Sequence, residues 1–291
     1  MQVLGVGVAT LDVIDSLEAF PREDSEQRAL DRSHRRGGNA ANTLVVLSQL
    51  GHGCSWAGTL ADDAAADQIV ADLQSHSIGL RWARRHAAAC SPVSHIIHSR
   101  ASATRTIIHH RDLPEFEAED FAVIDLGGFD WFHFEGRHVE ACKRMLREVS
   151  QRRPGIGVSL EVEKARPGIE RLFSLATVLI FSRAYAHAQG YATAPELFAA
   201  ARAAGASGLL FAAWGEEGGW LDEGGTAPLH LPASAPAQLV DTLGAGDVFN
   251  AGLIDALGKG EAPSRALERA NQLAGHKCGR QGLDGLFDSN D

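Results

Sequence analysis

The chain has 291 residues, 45% of them hydrophobic, and 27 Lys and Arg against 37 Asp and Glu give it a net charge of −10. That length can bury one large α/β core, and the acidic balance argues against nucleic acid or an anionic membrane as the main partner. Cys54, Cys90, Cys142 and Cys278 show neither CxxC nor any other metal-ligand spacing, which suits reduced thiols and a cytoplasmic location.

No charged and then apolar leader opens the sequence, and no apolar run of about 18 residues occurs, so neither secretion nor membrane spanning is expected. Val3 to Val8 is a short apolar run suited to a buried parallel strand. Gly5 and Gly7 begin like a dinucleotide fingerprint, but the third glycine is missing and Asp12 follows, which argues against NAD. From Thr10 to Arg36 the residues turn polar, material for a projecting flap, with Arg32 to Arg36 reading as solvated loop.

Gly37-Gly38-Asn39-Ala40-Ala41-Asn42 then opens a helix carried by Leu44, Val45, Leu47 and Leu50 and closed by Gly51. Glycines there let a ligand approach the backbone. Asn39 and Asn42 offer donors and acceptors suited to hydroxyl groups, and Asn39 suits an N-cap equally well.

Asp67 to His76 reads as a helix, Val93 to His110 as β-rich, Trp131 to Glu135 as a strand and Val139 to Arg152 as a helix. Strand patterns follow at Gly157 to Leu160, Val178 to Phe181 and Gly208 to Ala213, with helix patterns at Pro195 to Ala204 and Ala262 to Cys278. This rhythm predicts an α/β fold: a mainly parallel sheet with helices on both faces and ligands at the carboxyl ends of its strands. No linker divides it, so residues 1–291 read as a single domain, with lid segments at about 10–36 and 93–110.

The most informative segment is Asp241-Thr242-Leu243-Gly244-Ala245-Gly246-Asp247, followed by the apolar run Val248 to Ile254. Glycines let successive N–H groups turn toward one point at a helix N-terminus, where an anion is favoured. Asp247 puts a carboxylate at the mouth of that anion seat. Donors for negative charge beside a base are the parts that phosphoryl transfer to an alcohol requires. The same residues also suit a tight loop with Asp241 and Asp247 as caps. They are not a Walker A loop, since Gly258-Lys259-Gly260 lies at the far end of the helix.

Gly37 to Asn42 and Asp241 to Gly252 together resemble the two signatures of the ribokinase-like (PfkB) family of carbohydrate kinases. Further segments are similar to its ketohexokinase branch, the fructokinases forming fructose 1-phosphate: Leu11 to Ile14, Pro21 to Glu26, Arg36 to Ala40, Arg105-Thr106-Ile107, His133 to Arg137, Glu161 to Lys164, Ala213 to Gly218 and Ala274 to Gly285. The resemblance implies a ribokinase-like fold with a small β-sheet lid, ATP and Mg2+ as requirements, and leaves a monovalent cation such as K+ open. It implies that Asp247 is the base, that Gly244, Ala245 and Gly246 hold the transferring phosphoryl, and that Asp12, Gly38, Asn39, Asn42 and Arg105 bind sugar. Without it, Arg105 reads as a solvated strand arginine.

On the nucleotide side the resemblance places Trp214, Glu216, Gly218, Gly246, Gly275, Cys278 and Gly279. The Asn-x-x-Glu motif that helps hold magnesium in many members is absent where Phe181 to Tyr185 stands. Glu161 and Glu163, acting through water, are the candidates left, and an ion pair of Glu163 with Lys164 is the competing reading. A homodimer through the lid is also implied, with Asp24 reaching the partner's sugar. A kinase for another sugar or a nucleoside, and a silent sugar-binding protein, remain the alternatives.

Overall fold

A computed structural model describes residues 1–102 and 104–287. In chain order its strands and helices begin β1 (Gln2–Val6), β2 (Thr10–Leu17), β3 (Asp31–Gly37), α1 (Asn39–Gln49), β4 (Gly53–Ala57), β5 (Thr59–Ala61), α2 (Ala64–Ser75) and β6 (Arg84–His86). They continue with β7 (Val93–Ser99), β8 (Thr104–His110), α3 (Ala118–Ala122), β9 (Trp131–Glu135), α4 (Val139–Arg152), β10 (Gly157–Val162) and β11 (Val178–Ser182). The last are α5 (Arg183–Ala188), α6 (Ala194–Ala203), β12 (Leu209–Ala213), β13 (Gly219–Asp222), β14 (Leu229–Leu231), α7 (Ala245–Gly258) and α8 (Pro263–Cys278).

The main sheet has eight strands in the order β14-β13-β12-β11-β10-β9-β1-β4. The six from β12 to β4 are parallel, and β13 and β14 add an antiparallel edge. The apolar runs of β10 and β11 are buried because helices cover both faces. One core holds α4 and α6 with residues such as Phe132, Leu160 and Phe198, and the other holds α1, α7 and α8 with Leu44, Phe211 and Leu253. β1 lies between β4 and β9, so chain order reverses beside it and a crevice opens at its carboxyl end.

Local chemistry sets the helix ends. Asp63 caps α2 by accepting from Ala66 N–H at 2.8 Å, and Thr193 with Glu196 forms a capping box for α6. Gly38, at φ 101°, precedes α1 with its Cα against the backbone of Val8, where no side chain fits. Asn39 is therefore the first residue of α1 and not its cap.

The polar flap and the β-rich stretch form one four-stranded sheet, β3-β2-β7-β8, as the lid segments predicted. Ile14 and Ile96 are paired in register and buried at its centre. The solvated-loop reading of Arg32 to Arg36 does not hold, because these residues belong to β3 and Arg36 is buried. Among the described residues no helix is long and apolar enough to cross a membrane.

Candidate active site

A cavity of about 570 Å³ opens at the carboxyl ends of β1, β9 and β10, beneath the lid. It gathers Asp12, Gly38, Asn39, Asn42 and Arg105 with Glu161, Glu163, Gly244, Gly246 and Asp247, residues from both ends of the sequence. Its size suits a small organic ligand. β2 carries Asp12 and β8 carries Arg105 on the lid, while Arg105 Nη1 donates to Thr242 Oγ1 at 3.3 Å and links the lid to the loop before α7.

At the N-terminus of α7, Gly244 adopts φ 82°, which reverses the chain into the helix. Ala245 N–H turns back to Thr242 O at 3.3 Å, whereas the N–H groups of Gly246 and Asp247 have no main-chain partner among the described residues. Those two donors, with the helix dipole behind them, make a place where an anion is favoured, the expected anion seat. A Cβ added at Gly246 would meet open space and its φ is not positive, so glycine there leaves room in the cavity and is not required by backbone conformation.

Asp247 sits in the first turn of α7 and is buried. Burial pushes its carboxyl up to about 8, helped by the charges of Glu163 and Glu135 and opposed by a hydrogen bond from Asn42 and by the charge of Arg36. Asn42 Nδ2 donates to Asp247 Oδ2 at 2.6 Å. Glu161 is raised well above the usual carboxylate range by burial and by the charges of Asp247, Glu135 and Glu163. Asn39 Nδ2 donates to Glu161 Oε1 at 3.0 Å, so Asn39 ties α1 to β10.

Among the described residues, two polar atoms of this cavity, Glu161 Oε2 and Asn250 Nδ2, make no well-aligned hydrogen bond, although the Asn250 side chain is near enough to Glu161 to oppose the rise of its carboxyl. Among the described residues no three acidic, His or Cys side chains converge as an all-protein metal cage. Mg2+ keeps several waters and takes one or two carboxylates plus phosphate oxygens, and the bare Glu161 oxygen beside Glu163 fits that demand. The ion-pair reading of Glu163 is also met, since Lys164 Nζ lies 3.6 Å from it.

Of the residues expected on the nucleotide side, Gly246 lines this cavity, while Trp214, Glu216, Gly218, Gly275, Cys278 and Gly279 stand apart from it. Gly218 packs against Leu231 to Ala233, Gly275 against Ser234 and Gly279 against Pro236, while Cys278 O accepts from Val240 N–H at 2.8 Å, so all four border the segment 231–241. Trp214 is buried edge-on to His187, and the exposed Glu216 pairs with Arg183 at 2.9 Å. Asp24 lies in the exposed loop after β2, outside the cavity of its own chain.

Two further residues of the site, Glu135 and Arg36, lie inside segments that carry the resemblance but were expected to play no part in it. Glu135 ends β9, and its Oε1 accepts from Ala40 N–H at 2.7 Å and Val8 N–H at 3.3 Å, so it joins the end of β1 to the start of α1. Arg36 donates to Asn42 and Asp72. A glutamate closing an apolar strand beside Gly136 was the available signal for the first. The basic run around Arg36 hid the second.

The chain matches the family described as pfkB family carbohydrate kinase over residues 2–288. It is 36% identical over 293 residues to the ketohexokinase of Mus musculus, covering 98% of each chain. Its fold is similar to that of a putative ribokinase from Agrobacterium tumefaciens (TM-score 0.83, 23% identity, 98% and 94% of the two chains covered). A similar match is the Arabidopsis thaliana ribokinase complexed with ribose and ATP (TM-score 0.81, 20% identity, 96% and 93% covered). The ribokinase-like fold, the paired signatures and the buried Asp247 at the head of α7 thus belong together, and the chain is a carbohydrate kinase of the PfkB family.

Proposed function

We propose that this kinase transfers the γ-phosphoryl group of ATP to the 1-hydroxyl of fructose or a closely similar ketose. The observation that carries the reading is Asp247: a buried carboxylate at the anion seat, in the same cavity as Asp12 and Asn39, whose side chains suit sugar hydroxyls. The 36% identity to a ketohexokinase favours a ketose among sugars.

In this reading the sugar lies against Asp12 and Asn39 with its reacting hydroxyl at Asp247. As the hydroxyl oxygen bonds to the γ-phosphorus, its proton passes to Asp247, and the bond from phosphorus to the oxygen retained by ADP breaks. Gly246 and Asp247 N–H groups hold the charge on the moving phosphoryl oxygens. The lid, through Arg105, excludes water that would otherwise hydrolyse ATP. Mg2+, when bound, neutralises phosphate charge, and Glu161 and Glu163 would hold it through water. The borders of segment 231–241 supply the nucleotide side. The lid sheet pairs with that of a second copy to make a homodimer.

A screen of ketoses, aldoses and nucleosides for ADP release, with the phosphorylated position located by NMR, tests the reading. Fructose 1-phosphate is the expected product. Phosphorylation of a nucleoside or of an aldose in preference to every ketose would overturn it.

A further inference from the structure

Arg36 stands on β3 at the root of the lid, and its side chain is only 3% exposed. Its Nε donates to Asp72 Oδ1 on α2 at 2.5 Å, and its Nη1 donates to Asn42 Oδ1 on α1. Asn42 Nδ2 in turn donates to Asp247 Oδ2 at 2.6 Å. Four side chains from β3, α1, α2 and α7 thus form one line ending at the base.

The direction of that line follows from chemistry. A guanidinium has five donors and no acceptor, so the side-chain amide of Asn42 can present only its oxygen to Arg36. Its NH2 then has to face Asp247, whichever protonation state Asp247 is in. An amide free to turn over would offer its oxygen to the carboxylate, a repulsive contact, and leave Asp247 able to rotate. Asp72 fixes the guanidinium plane from the far side with a charge-assisted bond.

We propose that Arg36 is a positioning residue for phosphoryl transfer, which acts through Asn42 to hold Asp247 Oδ2 and leave the other carboxylate oxygen for the incoming hydroxyl. This rests on Asp247 being the base. No hydrogen bond engages that second oxygen among the described residues. The role is separate from sugar binding, since the Asn42 amide acts here as a link between Arg36 and Asp247. It also joins the lid to the chemistry, because β3 carries Arg36 on one face and pairs with the cavity-lining strand β2.

Arg36→Ala tests it by two independent readouts. The first is kinetic: with whichever alcohol the parent phosphorylates, kcat should fall about thirtyfold while the sugar KM stays within about twofold. Guanidinium ion at about 20 mM should restore part of the loss by bridging Asp72 and Asn42 again. The second needs no turnover. The side-chain amide signals of Asn42 in a nitrogen-15 spectrum, assigned by their absence in Asn42→Ala, should move or broaden in Arg36→Ala.

Asp72→Asn, at a side chain 31% exposed, guards against misfolding and should give the same changes on a smaller scale. An unmoved Asn42 amide in both variants, or a rise in sugar KM with kcat unchanged, would overturn the proposal. Failure of the parent to phosphorylate a ketose bears on the proposed substrate alone, since the amide signals report the relay without any substrate.

Discussion

The ammonium of Lys277, wholly shielded from solvent, donates to the main-chain oxygen of Asp241 at 2.8 Å and lies 3.1 Å from its carboxylate Oδ2. It also donates to Arg280 O at 3.2 Å. Asp241 accepts from Leu243 N–H at 2.9 Å, from Gly282 N–H at 3.0 Å and from Arg35 at 3.0 Å, so one carboxylate gathers the lid strand β3, the C-terminal segment and the loop leading into α7. Burial alone would raise Asp241, but these bonds hold it below its ordinary value. Lys277→Met should remove about 3 kcal/mol of stability, since it leaves buried oxygens without their donor. It should also lower kcat severalfold by loosening the approach to Gly244. Urea unfolding and steady-state rates measure the two effects.

Asp247→Asn should make the protein more stable while disabling it. The carboxyl of Asp247 is near 8 in the fold against an ordinary value of 3.8, so the folded state binds more protons than the unfolded state between those limits. Its contribution to stability is therefore whole below about 3.8 and lost as pH rises through about 8. An asparagine carries no such loss, so the gain in Tm over the parent should be larger at pH 9 than at pH 6. Thermal melts at the two pH values decide this, and an equal Tm difference at both would contradict it.

The same direction governs the rate. A general base works as the carboxylate, so kcat/KM for sugar should climb with pH, about tenfold per unit well below 8, and level off above it. A profile already flat from pH 6 would assign the proton to another group.

Gly246→Val should separate chemistry from folding. Its added side chain would enter open cavity space and requires no left-handed backbone, so Tm should change little. The methyl groups would occupy the phosphoryl position, and kcat should fall about 100-fold or more. Gly244→Val, at φ 82°, should lose stability as well.

Sequence periodicity was enough for the central strands and for α1, α4 and α8, because each buries a continuous stripe or run of apolar residues. The boundaries moved by one to three residues where a side chain outside the pattern set them, as Asp63 did for α2. The two glycine-rich signatures located the cavity from both ends of the chain. Arg36, Glu135, Asp241 and Lys277 all lay in quoted segments, but their roles were not legible, since these arise from partners distant in sequence, and a buried arginine in a basic run looks like a solvated one. Asn39 illustrates the same limit: Gly38 took the cap position, which freed the Asn39 amide to reach Glu161 across the sheet.

The lid sheet should be completed by a second copy. Ile108 is 59% exposed on the edge strand β8, and a sheet of four strands covered on one side is marginal by itself. Light scattering over a dilution series should give about 62 kDa, twice the 31.0 kDa chain, with sugar affinity falling as the dimer separates. A monomer of full affinity at every concentration would contradict this.

The most direct measurement follows carbon-13-labelled fructose with ATP and Mg2+ by NMR, using the parent and Asp247→Asn side by side. Fructose 1-phosphate is expected from the parent, with phosphorus coupling at C1, and formation at least about 100-fold slower from the variant. Phosphorylation at another carbon, or equal rates from the two proteins, would contradict it.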